Sequence, residues 1–147
     1  MNEAIEAAKR GWKIFPIKTM QKKPPIFKDW ENIASSDPEQ IRKWGEKYKN
    51  CNWGVACGPS NLVVIDVDIK DGKPGRETLA ALEAKYGPLP QCRMAITPSG
   101  GYHYYFTGLC SSGTDKLGPG IDIKSSGGYV VLPGSKTENG AYNWLEF

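Results

Sequence analysis

The chain is expected to fold as an α+β protein with a largely antiparallel sheet. Two observations carry that expectation. Strand-like segments are mixed with helix-like ones instead of alternating in regular βα units, and the later strands follow one another as hairpins. LVVIDVD (62–68) is the strongest strand pattern, and the rest of the fold is read around it.

Asn2 to Arg10 reads as a short helix, closed at Gly11 by a residue suited to the turn after a helix. WKIFPI (12–17) is a strand that Pro16 pushes towards a sheet edge, because proline donates no ladder hydrogen bond. TMQKKPPIFKDW (19–30) is a basic, proline-containing loop whose Lys22 and Lys23 could reach phosphate, although lone lysines are more often solvated. Ser36 or Asp37 caps a helix with Pro38 at its first position, running to about Tyr48. NWGVAC (52–57) is a short strand and GPSN (58–61) a turn before LVVIDVD. IKDGKPG (69–75) is a loop, and RETLAALEAKYG (76–87) a helix ending at Gly87.

RMAITP (93–98), SGG (99–101) and YHYYF (102–106) form a hairpin. A polar, glycine-rich connector (107–120) leads to IDIKS (121–125), GGYVVLP (127–133) and a last strand, AYNW, within AYNWLEF (141–147). No repeat or interdomain linker interrupts this order, so residues 1–147 are expected to form one domain.

With 39% hydrophobic and 24% charged residues, the chain has the composition of a folded globular protein, not a disordered one. The start, MNEAIEAAKRGW, lacks the apolar core of a signal peptide, and no apolar run reaches the ~20 residues that cross a bilayer. A cytoplasmic location, the host cytoplasm for a viral protein, is therefore expected. Cys51, Cys57, Cys92 and Cys110 contain no C-x-x-C and are read as free thiols packed as small hydrophobes. Residues 1–50 carry 11 Lys/Arg against 7 Asp/Glu, and the remainder 8 against 9. That asymmetry suits a polyanion meeting a carboxylate site, although lysines alone more often decorate a solvated surface.

Chemistry concentrates on three strands. Alternation in LVVIDVD places Asp66 and Asp68 on one face, with Leu62 and Val64 behind them and Val63, Ile65 and Val67 on the other. Two carboxylates at i and i+2 stand roughly 7 Å apart at Cα and repel, which favours a hard divalent cation between them. In IDIKS, Asp122 and Lys124 share a face, and in YHYYF His103 shares one with Tyr105. Were the three strands neighbours, three aspartates, a histidine and a lysine would converge, as metal-assisted phosphoryl chemistry requires. Alone, each signal is weak. D-x-D also occurs in turns, in haloacid-dehalogenase-like phosphatases and in glycosyltransferases, and Asp71 occupies the position where an EF-hand loop needs glycine.

The conjunction resembles the N-terminal catalytic domain of bifunctional DNA primase/polymerases, a branch of the archaeo-eukaryotic primase superfamily, over nearly the whole length. The resemblance is carried by AAKRGWKIFPI, KKPPIFKDWENIASSDPEQIRKW, NWGVACGPSNLVVIDVD, TPSGGYHYYF and GIDIKSSGGYVVLPGS. It implies a palm sheet of RRM-like type with flanking helices and a small N-terminal α/β portion. It implies that Asp66, Asp68 and Asp122 hold two Mg²⁺ or Mn²⁺ ions, and that His103 contacts the incoming triphosphate. Ser99, Gly100, Gly101, Lys124, Ser135 and Lys23 complete the implied nucleotide site. Lys124 stands where the family often has arginine, and PGS where it usually has a double proline before serine. The implied activity is template-directed addition of NTPs or dNTPs to a primer on single-stranded DNA. The chain is expected to be part of a longer phage, plasmid or mobile-element replication protein that also carries a helicase.

Two other readings stay open at this level. One is a metal-dependent phosphoryl hydrolase built on D-x-D, although Ile69-Lys70 follow where such phosphatases place other residues. The other is a non-catalytic module that binds single strands by stacking, for which the five tryptophans are candidates but are more simply core residues.

Overall fold

A computed structural model describes residues 1–145; Glu146 and Phe147, which end the segment AYNWLEF, lie outside the described residues. Its larger sheet is centred on β3 (Leu62–Val67), flanked by β5 (Tyr102–Thr107) and β7 (Ile121–Lys124). Outwards lie β4 (Arg93–Ile96) and β11 (Asn143–Trp144) on one side and β6 (Gly113–Gly118) on the other. Every neighbouring pair of these strands is antiparallel. A second antiparallel sheet joins β1 (Ile14–Ile17), β2 (Asn52–Ala56) and β8 (Tyr129–Val131), and β9 (Lys136–Thr137) pairs with β10 (Gly140–Ala141). The architecture is α+β and mostly antiparallel, as its pattern of segments predicts.

The helices are α1 (Asn2–Lys9), α2 (Trp30–Ile33), α3 (Pro38–Lys47) and α4 (Gly75–Tyr86). In α3 the Asp37 side chain accepts from Glu39 N–H at 3.0 Å, satisfying a donor that the helix start leaves free. Pro16 lies in β1 at a sheet edge, where its missing N–H costs no ladder bond.

Both faces of β3 are covered, but by different partners. Ile65 and Val67 pack with Ile121 against Leu79 and Leu82 of α4. Leu62 and Val64 point the other way and join Ala4, Ile14, Ile41 and Trp53 in the largest core cluster. Val64 and Val67 are 0% and 1% exposed, and burying each side chain contributes about 1.5–3 kcal/mol. The N-terminal helices and the smaller sheet thus cap the Leu62–Val64 half of that face. The Asp66 end faces a cleft.

Four segments depart from the sequence expectations, the first being the strand AYNW, which is split between β10 and β11 with different partners. The connector 107–120 contains β6, an edge strand with four of its six residues exposed, so no apolar alternation announces it. The loop 19–30 passes into the short helix α2. α4 begins at Gly75, one residue before the expected start.

Candidate functional site

The register of β3 sets the site. Asp66 lies directly opposite His103 on β5 and opposite Asp122 on β7, with Ala95 beyond His103 on β4. Residues facing each other this way have Cβ atoms about 4.5–5.5 Å apart, and opposed like charges destabilise the pair. The Asp66–Asp122 opposition therefore calls for cations. Lys124, one step along β7, sits opposite Val64 on the same face.

His103 is 6% exposed, and its Nε2 stands 3.3 Å from Asp66 Oδ1. Burial opposes ionisation of Asp66. The hydrogen bond and charge of His103, with the ammonium groups of Lys124 and Lys22, outweigh it and hold the carboxyl below its usual range. Tyr142 packs its ring 6.1 Å from the imidazole. Burial first, then the charge of Asp66, pushes its phenol up to about 12, so it stays a neutral hydroxyl.

Asp68 lies just past the end of β3. Its N–H donates to Gly120 O at 2.8 Å, and its own carbonyl accepts from Gly75 N–H at 3.1 Å. The carboxylate accepts from Lys70 N–H (2.9 Å, Oδ1) and from the Lys73 ammonium (3.2 Å, Oδ2). Contact with Asp68, and then the charges of Asp122 and Asp115, hold Lys73 more firmly protonated than usual. Asp122 Oδ1 accepts from Asp115 N–H at 2.8 Å.

Each of the three aspartates thus has a protein partner of its own. Among the described residues, no group of three or more His, Cys, Asp or Glu side chains stands gathered as a metal site. The donor chemistry nevertheless fits a hard divalent ion. All three carboxylates are at least partly accessible, and one already carries a cation on its outer oxygen.

The β4–β5 turn closes through Thr97 N–H to Gly101 O and Gly100 N–H to Thr97 O, both 2.9 Å. Gly100 adopts φ +88°. At Gly101 a Cβ would lie 2.4 Å from Val67 O, so glycine is needed there for close contact with β3. This turn carries the exposed Ser99, its hydroxyl 3.3 Å from that of Thr97, to the rim of the cleft.

The cleft has two lobes that share Asp66, Asp68, His103, Lys22 and Tyr142. The first, about 470 Å³, takes in Thr97, Ser99, Lys70 and Asn139. The second, about 410 Å³, takes in Lys23, Trp30, Asp122, Lys124 and Tyr129. The structure therefore gathers Asp66, Asp68, Asp122, His103, Lys124 and Lys23, and sets Ser99 on the opposite lobe from the last two. Ser135 is not brought in. It is 3% exposed, and its Oγ accepts from Trp53 N–H at 3.0 Å.

Lys22 and Lys23, the two loop lysines read as able to reach phosphate, both line the cleft, Lys22 in both lobes and Lys23, which the resemblance favours, in the second. Two residues near the aspartates escape sequence reasoning, Tyr142 in the cleft and Lys73 beside Asp68. Tyr142 sits in a terminal segment with no distinguishing signal. Lys73 belongs to a loop whose fold back onto Asp68 is set by Asp71 (φ 55°) and Gly72 (φ +76°), and only the D-G pair hints at that turn.

An antiparallel α+β sheet that presents aspartates, lysines and a buried histidine to one cleft is equipped to handle phosphate esters. The comparison with protein families makes the class specific: residues 4–147 match the family described as bifunctional DNA primase/polymerase, N-terminal, and the chain belongs to it. Membership carries, at the level of the family, a nucleotidyltransferase-type enzyme with nucleic-acid and nucleotide substrates. No match is found among curated proteins. Among the described residues, no helix is long and apolar enough to cross a membrane.

Proposed function

We propose that this chain catalyses template-directed transfer of NTPs or dNTPs to a primer 3′-hydroxyl on single-stranded DNA. The observation that carries the reading is the row in which Asp66 opposes both His103 and Asp122 across three paired strands, at the floor of the cleft. In this reading the larger sheet is the palm, and residues 1–147 form one catalytic domain.

Asp66, Asp68 and Asp122 are the residues that would hold two Mg²⁺ or Mn²⁺ ions, which when bound activate the hydroxyl and neutralise phosphate charge. His103, fixed by burial and by Asp66, presents its imidazole to the triphosphate. Lys124 and Lys23 act as point charges on phosphate from the second lobe, and Ser99 does so as a hydroxyl from the first. Gly100 and Gly101 shape the turn that brings Ser99 there. Lys22, between the lobes, can follow either substrate.

The test is primer extension by Asp66→Ala. Incorporation is expected to fall to background while circular dichroism and thermal unfolding still report a folded protein. A folded variant with full incorporation refutes the reading.

A further inference from the structure

The backbone of Asp68 is held by hydrogen bonds at both its N–H and its carbonyl, and a lysine already occupies its outer oxygen. Lys73 Nζ stands 3.2 Å from Oδ2, while Lys70 N–H takes Oδ1 at 2.9 Å. Both donors come from one short loop. That loop is closed at its base by Gly75 N–H on Asp68 O, 3.1 Å, with Gly75 so close that a Cβ would stand 2.4 Å from that oxygen. Asp71 and Gly72, both at positive φ, turn the chain back between these ends. The Lys73 ammonium is therefore tethered beside Asp68 on a side chain that is 53% exposed and free to swing away.

We propose that Lys73 is a tethered counterion that competes with a divalent metal ion for Asp68, so that loading the aspartate row requires Lys73 to leave. The proposal rests on the reading of Asp66, Asp68 and Asp122 as metal ligands. A metal ion on Oδ2 must approach an oxygen that the ammonium already contacts, and a +1 and a +2 charge within 4 Å repel strongly. The tether keeps the competitor at high local concentration without any binding partner. Without metal, the same ammonium offsets repulsion within the row, where Asp122 and Asp115 also act on it. Lys73 in this way sets the metal concentration at which the site fills.

The test is Mn²⁺ binding to the whole chain, followed by loss of the free-ion electron paramagnetic resonance signal at low ionic strength. Lys73→Met is expected to bind Mn²⁺ about two- to fivefold tighter than wild type, the effect of losing an exposed ion pair. Lys73→Arg, which keeps the charge, is expected to bind no tighter than wild type. Lys70→Met is the field control, since its side chain lines the same cleft without touching Asp68. It is expected to shift binding less than Lys73→Met. Unchanged or weaker binding by Lys73→Met, or an equal gain in Lys70→Met, overturns the competition. No Mn²⁺ binding by wild type or Lys73→Met overturns the metal-ligand reading itself, and the competition with it.

Discussion

Replacing Gly75 with alanine should unseat Asp68 without touching any charged group. A Cβ at Gly75 would stand 2.4 Å from Asp68 O, 2.8 Å from Gly120 O and 2.9 Å from Asp68 N. All three are backbone atoms, of Asp68 just past β3 and of Gly120 just before β7, so no flexible side chain can give way. Ordinary contact needs about 3.5 Å, so the Asp68 carbonyl must retreat by about 1 Å, straining the bond it accepts from Gly75 N–H. Overpacking of this kind costs about 1–3 kcal/mol. Alanine recovers at most ~1 kcal/mol of helix propensity, and less at the first residue of α4.

The steric cost therefore wins, by about 1–2 kcal/mol net, and the unfolding midpoint falls by about 3–6 °C for a chain of this size. Because the strain falls on Asp68, incorporation should drop further than in a variant equally destabilised elsewhere. Thermal unfolding by circular dichroism, read with primer extension at 25 °C, measures both. An unchanged or raised midpoint, or a normal rate in the destabilised protein, refutes the reasoning.

Ser135→Ala leaves the buried Trp53 N–H without its acceptor and should cost about 1–2 kcal/mol by urea unfolding, with nucleotide affinity unchanged. Weaker nucleotide binding at unchanged stability would instead put Ser135 in the site. In metal-free protein, Asp66 is held below its ordinary carboxyl range when folded, so it contributes stability above about pH 4 that is lost as pH falls through the lowered value. Asp66→Asn should flatten the acid limb of stability against pH. An acid limb as steep as wild type would show that Asp66 is not its source.

Much of the site is legible in the sequence because period-2 alternation assigns faces without tertiary information. LVVIDVD, IDIKS and YHYYF place Asp66, Asp122, Lys124 and His103 on shared faces, and the structure keeps those assignments. Strand neighbours and register are long-range facts that alternation does not contain. The direct opposition of Asp66 with both His103 and Asp122 emerges only from the β5-β3-β7 pairing. β6 escapes because an exposed edge strand buries too little to need an apolar pattern. At Ser135 the motif does not reveal the local partner: the resemblance points to the residue, and in the fold its buried hydroxyl accepts from the N–H of Trp53. Lys73 escapes for a third reason, since a lysine five residues from an aspartate meets it only if the loop between them folds back.

The most direct test of the central claim is anomalous diffraction from crystals soaked with Mn²⁺ and a non-hydrolysable nucleoside triphosphate. The account requires Mn²⁺ peaks bounded by Asp66, Asp68 and Asp122, with the triphosphate beside His103 and Lys73 withdrawn from Asp68. A bound nucleotide with no peak among those carboxylates, or with its metal held elsewhere, would contradict it.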